Sequence, residues 1–182
     1  MNGKPPDRQQ KERLMTAVRR LGAAAFALVL GAAPAAAHVA FTAPGAVVGE
    51  AQEKTLMVGH GCGADDPTVT LRVRMPPGVV DVAPTAPAGW KVETVTGAYG
   101  KPQIYKGAEL AGGVVEIVWS GRLGPHTTGA FTFAFGLADG LKPGDRLVFP
   151  SVQQCEKNVI RWIDPSEDGE TPAASLVVGA GR

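Results

Sequence analysis

Apolar and polar residues alternate along much of this chain with a period of two. From Thr68 to Met75, Val69, Leu71, Val73 and Met75 fall on one face and Thr68, Thr70, Arg72 and Arg74 on the other. This pattern predicts a half-buried strand, closed by Pro76-Pro77-Gly78. Ala130 to Leu137 repeats the device with Phe131, Phe133 and Phe135 facing inward. Val114 to Trp119, Leu147 to Val152 and Trp90 to Val95 read as further strands, bounded by Gly112-Gly113, Pro143-Gly144, Pro150 and the turn Pro87-Ala88-Gly89. Gln153 to Ile163 reads as a hairpin with Glu156-Lys157-Asn158 at its tip. Beyond residue 37 no window of about 12 residues shows helical periodicity. The expectation is an all-β domain, an antiparallel immunoglobulin-like β-sandwich of about seven to eight strands. Residues 165–182 mix acidic and small residues and read as a C-terminal tail, with Ser175 to Val178 a candidate edge strand.

The N-terminal segment has a different pattern. Leu21 to Ala33 is an apolar run preceded by Arg19-Arg20 and followed by Ala35-Ala36-Ala37, which fits a secretory signal peptide cut after Ala37. Met15 opens a more ordinary leader than Met1, and the arginine pair does not choose between general and twin-arginine export. Of 182 residues, about 145 remain after cleavage, enough for one hydrophobic core. The expected layout is a signal peptide over 1–37, a domain over 38–164 and the tail, in the periplasm or outside the cell. No later apolar run reaches the roughly 20 residues needed to span a bilayer. The leader holds six of the 18 Lys and Arg and two of the 17 Asp and Glu, so the remainder is mildly acidic. An acidic domain without a basic stripe argues against nucleic acid as a partner.

Two cysteines, Cys62 and Cys155, lie in the exported part. An isolated pair in an oxidising compartment favours a disulfide over the competing thiolate metal site shared with His60. The bridge should join the end of a strand near Thr55 to Gly59 to the tip region of the late hairpin.

Cleavage after Ala37 leaves His38 first in the chain, with a free α-amine beside its imidazole. Amine and Nδ1 together can close a chelate ring. That donor pair suits Cu(II), which favours nitrogen and oxygen ligands in a tetragonal plane. His60, between two glycines and two residues from Cys62, is a second candidate ligand. His126, in the turn Gly124-Pro125-His126-Thr127, reads as a solvent-exposed residue. Glu93 and Glu156 are candidate carboxylate ligands, and Trp162 a core aromatic that could also shield a metal. No G-x-S-x-G, H-E-x-x-H or C-x-x-C motif is present, so a binding protein is expected rather than an enzyme.

Several segments occur in a specific order: His38-Val39-Ala40-Phe41 after three alanines, Val58-Gly59-His60-Gly61-Cys62, Gly89-Trp90-Lys91-Val92, Val118-Trp119-Ser120-Gly121, and the block from Gln154 to Trp162. Together they resemble the YcnI-like domain family of exported copper-binding proteins. The resemblance implies a β-sandwich that holds Cu(II) in a monohistidine brace, made of the N-terminal histidine, a carboxylate and a nearby tryptophan. His38 and Trp162 match the histidine and the tryptophan. Where an acid often precedes the family strand matching Phe131, this chain has Gly129-Ala130, which leaves Glu93, Glu116 or Glu156 to supply the carboxylate. The implied role is copper homeostasis, buffering copper or passing it to a membrane transporter or metallochaperone. Two alternatives are a copper-dependent oxidative enzyme and a metal-free interaction module.

Overall fold

The structure is a computed structural model that describes residues 38–180. The signal peptide expected over 1–37 lies outside the described residues. Twelve strands follow in order: β1 Val39–Phe41, β2 Gly45–Val47, β3 Gln52–Val58, β4 Thr68–Arg74, β5 Val79–Pro84, β6 Lys91–Tyr105, β7 Ala108–Leu123, β8 Gly129–Leu137, β9 Arg146–Phe149, β10 Ser151–Cys155, β11 Val159–Trp162 and β12 Ala174–Gly179. They form a four-stranded sheet in the order β1-β3-β8-β5, a five-stranded sheet in the order β11-β10-β4-β7-β6, and a three-stranded sheet in the order β2-β12-β9. All pairings are antiparallel except β2 with β12.

The period-two faces read in the sequence form the core. Phe131, Phe133 and Phe135 of β8 and Leu56 and Val58 of β3 are buried, as are Leu71 and Val73 of β4 and Ile117 and Trp119 of β7. Trp119 spans the gap between the two larger sheets, with ring centroids 5.4 Å from Phe131 and 6.3 Å from Phe133. The third sheet contributes Phe149, which touches Phe41 at 5.0 Å and Phe133 at 6.1 Å. Two apolar sheet faces closed against each other in this way give a sandwich.

Four expectations are corrected. The strand count is twelve, because β1 and β2 are too short to show a period and β6 and β7 form a long hairpin whose glycines interrupt the pattern. Leu147 to Val152 is not one strand: Pro150 lacks the N–H needed to continue a ladder, and the chain passes there from β9 in the small sheet to β10 in the five-stranded one. Thr68 is buried rather than on the polar face, since the register of β4 against β7 shifts between Thr68 and Thr70, which leaves Val69 half-buried at the irregularity and turns Thr68 inward. The tail is not peripheral, for β12 is the central strand of its sheet, with Leu176 and Val178 in the core, and the domain runs to Gly179.

Candidate metal centre

His38 heads β1, an edge strand of the four-stranded sheet, and its side chain is exposed. Val39 pairs with Val58, so continuing this register sets His38 beside Gly59, next to His60. Trp162 ends β11, an edge strand of the five-stranded sheet. The two edges lie on the same flank of the sandwich. The His38 imidazole stands 6.0 Å from the Trp162 ring, centroid to centroid, with the planes 72° apart. Trp162 is 4% exposed and belongs to the core, so one residue fills the interior and borders the histidine.

A buried glutamine fixes Trp162. Gln153 of β10 is 1% exposed, and its Oε1 accepts a hydrogen bond from Trp162 Nε1 at 3.0 Å. Its Nε2 donates to the His60 carbonyl and to Thr68 Oγ1, each at 2.7 Å. The amide therefore joins β11, β4 and the loop after β3 at one point. A buried amide is tolerable only when its donors and acceptor are matched in this way. Sequence reasoning missed Gln153, because a polar residue on an inward strand position carries no signal of its own.

The loop after β3 is held from its other end by the Cys62–Cys155 disulfide, which joins it to the end of β10 just before the hairpin tip. Asp66, 3% exposed, clamps that tip. Its carboxylate accepts from Lys157 N at 2.9 Å, Asn158 N at 3.0 Å and Asn158 Nδ2 at 2.8 Å. Burial alone would raise the Asp66 pKa, but these hydrogen bonds and the nearby Lys157 charge outweigh it and hold the carboxyl below its ordinary value. Among the described residues, one group of three His, Cys, Asp or Glu ligand atoms lies within 4.8 Å of one another: Cys62, Asp66 and Cys155. Its sulfurs are bonded to each other, so it offers no thiolate pair to a metal.

The other candidate ligands are placed as follows. His60 Nδ1 is turned against the carbonyl of Gly61. Glu156 forms an ion pair with Arg122, and Glu116 one with Arg72 at 2.6 Å. Glu93 is exposed on β6. His126 is exposed in its turn. The structure brings together His38, Trp162 and the His60 backbone, and it joins no carboxylate to His38 in a group of three among the described residues.

These features define an immunoglobulin-like β-sandwich with one disulfide and an exposed histidine set against a core tryptophan. The chain belongs to the family described as a domain of unknown function, DUF1775, whose model matches residues 38–178 and which is the YcnI-like domain family. It is similar in structure to an uncharacterized protein from Nocardia farcinica with an immunoglobulin-like fold, at 21% identity and a TM-score of 0.59, over 78% of this chain and 98% of that one. A cohesin–dockerin complex from Clostridium thermocellum matches at 12% identity and a TM-score of 0.40, over 78% of this chain and 97% of that one. No curated protein matches the sequence significantly. Among the described residues no helix is long and apolar enough to cross a membrane. The disulfide is compatible with an extracellular location.

Proposed function

We propose that this protein is exported, is cut after Ala37, and binds Cu(II) through His38 as its new first residue. The supporting observation is the position of His38: it is exposed at the head of an edge strand and stands edge-on to Trp162 at 6.0 Å. While residue 37 is attached, the nitrogen of His38 belongs to a peptide bond and is a poor donor. Cleavage turns it into an amine, which with imidazole Nδ1 gives two nitrogens to one ion. Trp162 walls one side of that ion with apolar surface, and Gln153 keeps the wall in place.

Copper is cargo in this reading, not a resident cofactor, and the protein is a carrier rather than an enzyme. Two nitrogens leave equatorial positions to water or to a donor from another molecule. Such a half-filled set suits buffering, or transfer to a transporter or metallochaperone that completes it. The competing ligands carry less support, since Glu156 is paired with Arg122 and His60 Nδ1 faces Gly61.

The test combines the mass of the exported protein with a Cu(II) titration followed by tryptophan fluorescence. The expected result is an N-terminus at His38, one Cu(II) per chain with quenching, and loss of that binding in H38A. Cleavage at another bond, or unchanged binding in H38A, would overturn the proposal.

A further inference from the structure

The geometry points to a second binding site, for a small amphiphilic anion, in a cavity of about 810 Å³ walled by the β6–β7 hairpin. The hairpin is unusual in its register. Ala98 pairs with Gly112 and Gln103 with Leu110, so residues 99–102 of β6 stand opposite the single Ala111 of β7. A bulge of this size is not needed to close a hairpin, and bulges typically re-aim side chains next to sites. Its extra residues Tyr99, Gly100 and Lys101 line the cavity.

The sequence clears room for this arrangement. The Tyr99 hydroxyl occupies the space that a Cβ on Gly113 would fill, so any side chain at 113 would expel the ring. Opposite the bulge stand Met75, Pro76 and Pro77, with Val115 and Pro150 completing an apolar lining. The volume is that of a site for a drug-sized molecule.

Charge identifies the class of ligand. Arg74 and Lys101 are the charged residues of the lining, and the acid whose charge reaches Tyr99, Asp81, lies outside it, although the described domain is acidic overall. Neither cation forms an ion pair among the described residues, whereas neighbouring Arg72 is held by Glu116. Burial raises the Tyr99 pKa and the Asp81 charge raises it further, so the phenol stays protonated as a donor. An apolar body carrying one carboxylate matches two free cations and a hydroxyl above an apolar lining. The lining includes none of His38, Gln153 or Trp162, so this inference stands apart from the copper reading.

Octanoate is the probe, with octanol as its neutral counterpart, and amide shifts in ¹H–¹⁵N NMR spectra of the full chain are the readout. Octanoate should shift the amides of Met75, Tyr99, Lys101 and Val115 to saturation. Octanol should bind about tenfold more weakly, and R74Q/K101Q should weaken octanoate by about tenfold while leaving octanol unchanged, as expected for two surface charges. The exposed-cation control R161Q should leave octanoate binding as it was. Absence of saturable shifts, shifts centred on other residues, equal binding of octanol, or an unaffected R74Q/K101Q would each overturn the site.

Discussion

Replacing Gln153 by Met keeps the length of the side chain and removes all three of its hydrogen bonds. Three partners then lose a bond: Trp162 Nε1, Thr68 Oγ1 and the His60 carbonyl. His60 is half-buried, so its carbonyl can be rehydrated. Thr68 is fully buried, but its Oγ1 keeps Cys155 Sγ at 3.7 Å, whereas Trp162 is nearly buried and its Nε1, partnered by Gln153, cannot be rehydrated. Each buried group left unmatched costs about 1–3 kcal/mol. The lost Thr68 bond adds about 1 kcal/mol and the apolar replacement returns about as much by transfer, so the net loss should be about 2 kcal/mol. In a domain of this size that corresponds to a fall in Tm of about 6 °C. Urea unfolding of wild type, Q153M, T68V and the double variant measures it. T68V alone should cost less, because Gln153 Nε2 keeps the His60 carbonyl. The cycle should show a coupling of about 1 kcal/mol, since the two residues share one hydrogen bond. A loss under about 1 kcal/mol in Q153M, or additive effects in the cycle, would refute the idea that this amide joins the three elements.

Reducing the Cys62–Cys155 disulfide opens a loop of 93 residues, and urea midpoints with and without a phosphine reductant should differ by the equivalent of about 4.6 kcal/mol. Unchanged midpoints would show that the Asp66 clamp and Gln153 hold the loop without the bond. The Asp66 pKa is lowered in the folded chain, so its contribution to stability is complete above the unfolded carboxyl value near 3.8 and is lost as pH falls through the lower folded value. The stability gap between wild type and D66N should therefore be constant at neutral pH and shrink in acid below that value. A gap that grows on acidification would reverse the assignment.

Most of the sandwich was legible in the sequence because its inner faces obey a period of two. Phe131, Phe133 and Phe135 announce β8, and Leu71 and Val73 announce β4. What was illegible has local causes. Thr68 reads as solvent-facing until a register shift turns it inward. Pro150 reads as a strand end without revealing that the two sides join different sheets. The outer half of the β6–β7 hairpin carries Gly97, Gly100, Pro102 and Gly112-Gly113, which erase the alternation that the inner half keeps. At the candidate site, His38 was conspicuous from its place after three alanines. Trp162 was readable as a core aromatic that could also shield a metal, and only the family resemblance set it beside the histidine, since a tryptophan on an inward strand position ordinarily signals core. Gln153 was invisible, because its value lies in three partners far apart in the chain.

The central claim rests on one nitrogen that processing creates at His38. Cu(II) affinity should be compared between a chain beginning at His38 and the same chain with one alanine added before it. The account predicts that the added residue weakens binding on the order of 100-fold, the effect of breaking a two-point attachment. The fold should be unchanged, because His38 is exposed and precedes β1. Equal affinity in the two chains would contradict the account and move any copper site away from the amine of His38.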